Sequence, residues 1–513
     1  MTFAYGARSF ARLSRAEWTK FRTVRGWVLG MVAAVLVTVG LGLFAASGSH
    51  SSCGGPDDVC PAVPIGPDGQ AVDDKFFFVH RALNGDGSIT VRVTSLTGRI
   101  RLPDVTPGVR REVPRVEPWA KAGVIVKDGT RQGAAYAALM VTGRHGVRLQ
   151  HDFVHDTAGG RSGVSETAPR WLRLVRSGGE LTGYESADGR RWAKVGTARP
   201  QGLPATVRIG LFAACPGDLT VTQADLGGAI AASRFAQATA VFDHVSLQGE
   251  MSGGAWRHDD IGAAKEPDGA IHHPGGVVRT GGTFTVTGVG DIAPRTDGQT
   301  IEKTLSGLLA GLIVVVVVAV VFVTAEYRRG LIRTTLLAGP RRGRTLTAKA
   351  VVIAAVTFAA GLIAAGVTVP LGAHVLRANG NDILPVGPLT ELRVVAGTAA
   401  LLAVTAVLAL ALGTVVRRGT VAITGAIALV VLPRVLATTS VLPVEASRWL
   451  LRVTPAAGFA IQQSIPAYPQ VTAFFSPQAG YYPLSPWAGF AVSCGYAALA
   501  LALAVLALRR RDA

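Results

Sequence analysis

Six stretches of this chain are apolar over enough residues to cross a lipid bilayer. They cover residues 27–46, 305–325, 350–373, 394–416, 421 to about 443, and 487–508. About 20 residues of α-helix are needed to span the hydrocarbon core. Helices of soluble proteins seldom stay uncharged for that length, so the pattern predicts a polytopic α-helical membrane protein with six transmembrane helices. Pro433 and Arg434 interrupt the fifth stretch, which is the least regular of the six.

Residues 48–302, between the first two apolar stretches, follow a different pattern. Short runs of alternating β-branched and polar residues, such as 88–94, 171–176 and 283–287, are separated by turn signals that include NGDG at 84–87 and DG at 188–189. Alternation with a period of two is typical of strands with one buried face. The pattern predicts a large all-β jelly-roll or sandwich ectodomain inserted between transmembrane helices 1 and 2.

Charge gives the expected orientation in the membrane. The 513 residues carry 51 basic and 33 acidic side chains, a formal net charge of +18. The charges of residues 48–302 nearly balance, whereas 18 Lys and Arg residues flank the apolar stretches on one side and four lie in the two short loops opposite. The positive-inside rule therefore predicts a multi-pass protein of the plasma membrane, with both termini cytoplasmic and residues 48–302 extracellular. Because the charge is explained in this way, no nucleic-acid partner is expected.

The N-terminal segment combines apolar residues at near-helical spacing with six basic residues. Such a helix can lie in the bilayer interface with its apolar face in lipid and its cations on anionic headgroups. We therefore expect a cytoplasmic amphipathic interfacial helix over residues 1–26, followed by transmembrane helix 1 over residues 27–47. The basic residues would serve equally as an orientation signal. The side chains expected at the membrane interface are Phe10, Leu13, Trp18, Phe21 and Trp27.

A cleaved signal peptide is the alternative interpretation of this N-terminal segment, because small residues follow the first apolar stretch at 45–47. The basic region and the apolar run are both longer than in most signal peptides. A retained membrane anchor is favoured.

Candidate chemistry in the insert is sparse. Cys53 and Cys60 lie close together outside the first span, where a local disulfide is expected; the alternative is two free thiols in a flexible linker. His151 and His155 would share one face of a strand, but zinc needs three or four ligands, so solvated strand residues are favoured. No carboxylate pair has a spacing that suggests a glycosidase. We expect no catalytic residues, no metal and no cofactor.

Four segments of the insert together resemble the concanavalin-A-like, or laminin-G-like, jelly-roll modules of secreted bacterial glycan-associated proteins. They are PWAKAGVIV at 118–126, WLRLVR at 171–176, YESADGRRW at 184–192 and LPATVRIGL at 203–211. The resemblance covers about residues 75–250 and implies that an extracellular glycan is a possible partner. The first strands of such a module are not recognisable at the start of the insert, but residues 255–262 and 282–287 resemble them. We therefore expect one circularly permuted sandwich.

The segment between the second and third apolar stretches reads EYRRGLIRTTL at 326–336 and PRRGRT at 340–345. It resembles the loop of type-2 ABC exporter permeases in which a short coupling helix meets the ATP-binding subunit. Residues 15–22, 454–460 and 509–513 resemble the same family, and the likeness covers about half of the chain. The resemblance implies a homodimer or heterodimer of permeases with separate ATP-binding subunits and a coupling loop over 326–349. The implied partner-coupling residues are Glu326, Arg328, Arg329, Gly330 and Arg333.

An orientation signal explains the arginines of this loop equally well, and the large insert departs from the compact family pattern, so the substrate stays open. The chain contains no Gly-x-x-x-x-Gly-Lys phosphate loop, so the energy must come from another subunit. Arg434 is a charge within a predicted span and hence a candidate for function, although snorkelling to the outer interface at a helix break is modestly favoured. The second functional hypothesis is a membrane-anchored glycan-binding or sensor protein that acts through its sandwich.

Overall fold

The computed structural model describes residues 2–52, 62–103, 111–223, 229–263, 272–328, 342–439 and 441–511. Its α-helices are α1 (Thr2–Thr23), α2 (Arg25–Ser47), α3 (Leu308–Arg328), α4 (Arg342–Ala378), α5 (Pro388–Val416), α6 (Gly419–Thr438), α7 (Val444–Val453) and α8 (Pro486–Arg511). Short 3₁₀ helices cover Ile301–Gly307, Pro455–Gln462 and Pro477–Ala479.

Six helical segments of the described chain are long and apolar enough to cross a membrane. They are Arg25–Ser47, Ile301–Tyr327, Gly343–Ala378, Pro388–Val416, Gly419–Thr438 and Pro486–Arg510. Each coincides with one of the six apolar stretches predicted from the sequence. The fifth ends at Thr438 rather than near residue 443, and Pro433 lies inside it without ending the helix.

Helix α5 lies at the centre of the helical bundle, where it packs against α3, α4, α6 and α8. Its buried threonines Thr398, Thr405 and Thr414 each donate a hydrogen bond to the carbonyl four residues earlier, so the core contains no unpaired hydroxyl on this helix. Helices α2 and α3 approach closely at Gly311, where an added Cβ would lie 2.0 Å from the Thr38 hydroxyl oxygen. The 3₁₀ helix Pro455–Gln462 is buried throughout and packs against α5 and α8.

The described residues between α2 and the 3₁₀ helix Ile301–Gly307 form a large β domain. Its strands are β1 (Val72–Asp74), β2 (Phe76–Leu102), β3 (Arg111–Pro114), β4 (Lys121–Lys127), β5 (Tyr136–Thr142), β6 (Val147–His151), β7 (His155–Ala158), β8 (Arg170–Ser177), β9 (Glu180–Ser186), β10 (Ala193–Ala198), β11 (Thr206–Ala214), β12 (Asp218–Gln223), β13 (Ala229–Arg234), β14 (Ala236–Ile261), β15 (Gly276–Thr280), β16 (Thr283–Gly288) and β17 (Ile292–Pro294).

Thirteen of these strands belong to one antiparallel sheet, with the path β10-β9-β8-β2-β11-β4-β5-β6-β7 and with β3, β14, β15 and β16 attached to it. Apolar side chains from every strand of the path except β7, and from β14, meet in one core, which includes Val91, Leu139, Leu174, Leu211 and Phe242. The sheet therefore curves into a nearly closed sandwich. A large all-β domain inserted after the first apolar helix is what the alternating pattern predicted.

The sequence predicted a turn between two strands at the NGDG segment, residues 84–87. This prediction is wrong. The segment lies inside β2, whose pairing changes there from β11, ending at Asn84, to β8, beginning at Gly87. Gly85 has a φ of 67°, a left-handed conformation that glycine adopts without steric cost. The segment is thus a corner at which one long strand bends from one face of the sandwich to the other.

Arg257–Ile261, β15 and β16 belong to the same thirteen-stranded sheet as β2 and the first part of β14. Arg257–Ile261 pair with β2 between Phe76 and His80, and β16 pairs with the first part of β14. A separate half-module at this end of the insert is therefore excluded for the described residues. The circular permutation itself stays a prediction.

Strands β1 and β17 pair with each other, with Val72 opposite Pro294, where the chain enters and leaves the β domain. We call these two strands the neck. Two buried lysines of β4 reach them: the Lys127 ammonium lies 2.7 Å from the Asp74 carboxylate, and that of Lys121 lies 2.6 Å from Asp291. The β domain also contacts the bundle, since the Gln470 side chain donates to the Val154 carbonyl at 3.1 Å.

Glu117, in the loop before β4, predicts a pH dependence of stability. Burial, with Asp218 nearby, raises the pKa of Glu117 to about 7, whereas a glutamate of an unfolded chain has a pKa of ~4.3. The folded state therefore holds a proton that the unfolded state has lost, and this contribution to stability disappears as the pH rises towards 7. In the wild type, the melting temperature should decrease between about pH 5 and pH 7, and Glu117→Gln is expected to make this decrease smaller.

Burial also raises the pKa of Asp73 to about 6, so Asp73 contributes to the same loss of stability as the pH rises. Glu117→Gln therefore reduces the slope of the melting temperature against pH but does not abolish it. Glu112→Gln, at an exposed position of β3, is the matched control and should leave the slope unchanged. A Glu117→Gln variant with the wild-type slope would contradict this assignment.

Candidate functional site

Three helices that are distant in sequence meet at a group of charged residues at the end of the bundle where α1 lies. Glu17 of α1, Glu326 of α3 and Lys349 of α4 are only 3%, 8% and 4% exposed. The Lys349 ammonium donates to one carboxylate oxygen of Glu17 and to one of Glu326, both at 2.6 Å. We call these three residues and Lys20 the charge cluster.

Lys20 completes the cluster from the more exposed side. Its ammonium lies 3.2 Å from a carboxylate oxygen of Glu17 and 3.2 Å from one of Glu326. Partial burial lowers the pKa of Lys20, but attraction to Glu17 and Glu326 outweighs that effect and the pKa is raised. Two carboxylates and two ammonium groups thus form a neutral set.

Aromatic rings close the cluster on its inner side. The rings of Phe21 and Trp27 contact Phe322 edge-on, with centroid distances of 5.6 and 4.9 Å. The Lys349 ammonium lies 4.9 Å from the centre of the Phe322 ring. The rings exclude water from the ion pairs and add a cation–π contact, so electrostatic interactions there are stronger than at a solvated surface.

The charge cluster joins the two ends of the predicted coupling loop. Glu326 lies just before segment 329–341, and Lys349 lies in the second turn of the helix that follows it. Removing one partner from a buried ion pair leaves an uncompensated charge, which is strongly unfavourable. A displacement of α3 or α4 at this point is therefore expected to carry α1 with it.

The structure brings only part of the predicted coupling set together. Glu326 belongs to the cluster and Arg328 is the last residue of α3. Arg329, Gly330 and Arg333 lie outside the described residues, as do Cys53 and Cys60 of the expected disulfide. Those assignments stay predictions.

Three members of the charge cluster were not singled out from the sequence. Glu17 is the only acidic residue among the first 52, and Lys349 is a lone charge at the start of the third apolar stretch. Either could have been flagged as an exception to its surroundings. The pairing of Glu17 with Lys349 could not have been predicted, because 332 positions separate these residues.

The five residues expected at the membrane interface differ in how much of their surface is exposed. Trp18 is 46% exposed, whereas Phe21 is 3% exposed and belongs to the core of the bundle. Phe10, Leu13 and Trp27 are partly buried. Phe21 therefore packs against protein rather than lipid, and the exposed side of α1 is the one that carries Trp18.

Arg434 of α6 lies against aromatic rings at the opposite end of the bundle. Its guanidinium carbon is 4.2 Å from the centre of the Phe459 ring and 5.7 Å from that of Tyr482. Its Nε and Nη1 atoms are shielded from solvent and have no hydrogen-bond partner among the described residues. Arg434 lines a cavity of about 310 Å³ between α6 and the segments around it. Snorkelling of its side chain to the outer interface stays a prediction.

The sequence predicted His151 and His155 on one strand, but they lie on the neighbouring strands β6 and β7. They face each other across the β6–β7 hairpin, with their rings stacked at 4.3 Å, because Asp152 and Phe153 turn the chain with positive φ angles. His155 lies 3.4 Å from Asp68. Within the described part of the chain, no group of three or more His, Cys, Asp or Glu residues is arranged to hold a metal ion.

No known protein family and no curated protein sequence matches this chain. Among solved structures, it is similar to a functionally unknown protein from Saccharomyces cerevisiae, with 17% identity and a TM-score of 0.20 over 34% of this chain and 74% of the other. It is also similar to scytalido-glutamic peptidase bound to a transition state analog inhibitor, with 8% identity and a TM-score of 0.26 over 42% of this chain and 98% of the peptidase. Similarities at TM-scores this low carry no argument about fold or function.

Proposed function

We propose that this chain is the membrane-spanning permease subunit of an ATP-driven ABC exporter. In this proposal a separate ATP-binding subunit supplies the energy, and the permease itself is not an enzyme. It works as a homodimer or heterodimer in the plasma membrane, with both termini cytoplasmic and the β domain outside. The proposal extends the resemblance of residues 326–345 to the coupling loop of type-2 ABC exporters.

The observation that carries the proposal is the charge cluster. Glu326 and Lys349 flank segment 329–341 and are joined to each other and to Glu17 by buried hydrogen bonds of 2.6 Å. A protein that only needed an anchor would gain nothing from connecting these three helices at such an electrostatic cost. A protein in which a partner pushes on segment 329–341 needs that segment fastened to the helices that move.

The mechanism we infer is mechanical. Arg328, Arg329 and Arg333 pair with acidic groups of the ATP-binding subunit. Nucleotide-driven displacement of the partner moves the ends of α3 and α4 together, and the charge cluster transfers that displacement to α1 and then to α2. At the opposite end, the β domain caps the bundle near the segment that contains Gln470.

A glycan remains a possible partner of the β domain. Trp119 is only 6% exposed and stacks on His145 at 3.9 Å, so it is a core residue. Trp171 and Trp192 are partly buried, and the guanidinium carbons of Arg92 and Arg173 lie 5.8 and 4.0 Å from their ring centres. These rings are engaged by the protein itself, so we give the exporter function precedence over a glycan-binding anchor.

The test is purification of the full-length chain from its native membrane. We expect an ATP-binding subunit to copurify in stoichiometric amount and the complex to hydrolyse ATP. Arg333→Glu and Gly330→Pro should release the subunit and reduce hydrolysis. Arg377→Glu reverses an exposed charge at the opposite end of α4 and serves as the matched control. Recovery of the chain without any ATPase, or retention of the ATPase by both variants, would overturn the proposal.

A further inference from the structure

The cavity beside Arg434 has the size and lining of a small ligand site. It measures about 310 Å³, at the lower end of the range of ligand pockets, roughly 300–1,000 Å³. Apolar walls come from the start of the second span and from the buried 3₁₀ helix. Its apolar and aromatic lining residues are Leu305, Leu308, Leu309, Phe459, Tyr481 and Tyr482.

Arg434 brings a positive charge without a described carboxylate partner to the wall of this cavity. A guanidinium has five N–H donors, and neither Nε nor Nη1 of Arg434 has an acceptor among the described residues. No described carboxylate forms an ion pair with it. The rings of Phe459 and Tyr482 stabilise the cation through their faces, but ring faces do not replace the in-plane acceptors that a guanidinium needs.

The other charged groups of the cavity already have partners. One carboxylate oxygen of Glu302 accepts from the Ser464 backbone N–H at 3.1 Å, and the other accepts from the Ser464 hydroxyl. The Lys303 ammonium donates to the Gly298 carbonyl at 3.0 Å. With Glu302 balanced by Lys303, the cavity keeps one uncompensated positive charge, that of Arg434.

We propose that this cavity binds a single anionic group, a carboxylate or a phosphate monoester, through Arg434. The guanidinium stays charged and offers such a group charge-assisted hydrogen bonds. A short apolar part of the same ligand lies against Leu305, Leu309 and Phe459. The ligand is either a lipid of the surrounding bilayer or a free organic anion. Binding requires no ATP-binding subunit, so this inference stands apart from the proposed function.

The test uses the full-length protein in a neutral detergent, with decyl phosphate, decanoate and uncharged decyl maltoside as probes. We expect the two anions, but not the maltoside, to raise the melting temperature and to give saturable binding by calorimetry. Arg434→Gln should weaken the binding of both anions roughly 10- to 100-fold, the range expected when charge-assisted hydrogen bonds are lost. Arg452→Gln, an exposed position outside the cavity lining, is the control and should bind as the wild type does.

A second measurement separates a binding role from a structural one. Arg434→Met removes an unpaired buried charge, so the ligand-free variant should melt at the same temperature as the wild type or higher. If Arg434→Met melts at a lower temperature and the anions do not stabilise the wild type, Arg434 is a structural cation–π contact and the proposal is overturned. Equal anion binding by the wild type and Arg434→Gln would overturn it as well.

Two further experiments show whether the anion is a lipid of the bilayer or a free anion. A positive result in either experiment supports the proposal. Retention of phosphatidylglycerol by the wild type but not by Arg434→Met in native mass spectrometry identifies a lipid. Stabilisation by inorganic phosphate or acetate alone, lost in Arg434→Gln, identifies a free anion.

Discussion

Replacement of Lys349 by methionine is expected to reduce the free energy of unfolding by about 3–5 kcal/mol, the usual effect of removing one partner from a buried ion pair. The substitution keeps the apolar stem of the side chain and removes the ammonium group that donates to Glu17 and Glu326 at 2.6 Å. Both carboxylates would then depend on Lys20 alone, at 3.2 Å. Unfolding of the full-length protein in mixed micelles by sodium dodecyl sulfate measures the loss.

A neutral double variant shows whether the loss comes from the unbalanced charge. Glu326→Gln with Lys349→Met restores a neutral cluster and should recover more than half of the stability lost in the single variant. Arg510→Met, at an exposed position of α8, is the control and should change stability by less than about 0.5 kcal/mol. A single variant as stable as this control would mean that the cluster is solvated and does not connect the helices.

Replacement of Lys127 by methionine is expected to open the neck of the β domain. The side chains of Lys127 and Asp74 are both 0% exposed, and Lys127 also donates to the Ala134 carbonyl at 3.1 Å. Without the ammonium, the Gly133 N–H at 2.8 Å is the one hydrogen-bond partner among the described residues that remains for the Asp74 carboxylate. We expect a loss of about 3–5 kcal/mol in the stability of the β domain within the full chain.

The buried thiol of Cys215 provides the measurement, since it is 2% exposed and its residue bridges to Gly290 beside the neck. In a background without the other three cysteines, labelling of Cys215 in Lys127→Met should be at least about 100-fold faster than in the parent. Asp74→Asn with Lys127→Met should restore slow labelling, and Lys194→Met, exposed on β10, should not alter it. Unchanged labelling in the single variant would show that the pair does not hold the neck closed.

The sequence predicted the features that depend on residues close together in the chain. It did not predict those that depend on contacts between distant positions. The apolar helices are local patterns, and their ends agree with the sequence to within about eight residues. The alternation of residues 88–94 and 283–287 also marked true strands. The corner at residues 84–87 looked like a turn because its composition is the same; only the pairing of β2 with two different partners distinguishes a bend from a hairpin.

The functional residues show the same limit. Arg434 was recognisable as a charge in an apolar stretch, but its surroundings come from Phe459 and Tyr482, which follow it by 25 and 48 positions. The sequence could not show that the buried 3₁₀ helix Pro455–Gln462 packs against α6 beside Arg434. Glu17 and Lys349 belong to different helices, and no local pattern shows that two opposite charges will be buried together.

The pairing of β1 with β17 has a consequence for how such a protein arises. Neighbouring strands lie about 5 Å apart, so the two points at which the β domain joins the rest of the chain are side by side. Helices α2 and α3 stay in close contact at Gly311 even though more than 250 residues separate them. A whole domain can therefore be acquired, exchanged or lost at this position during evolution without separating the two helices.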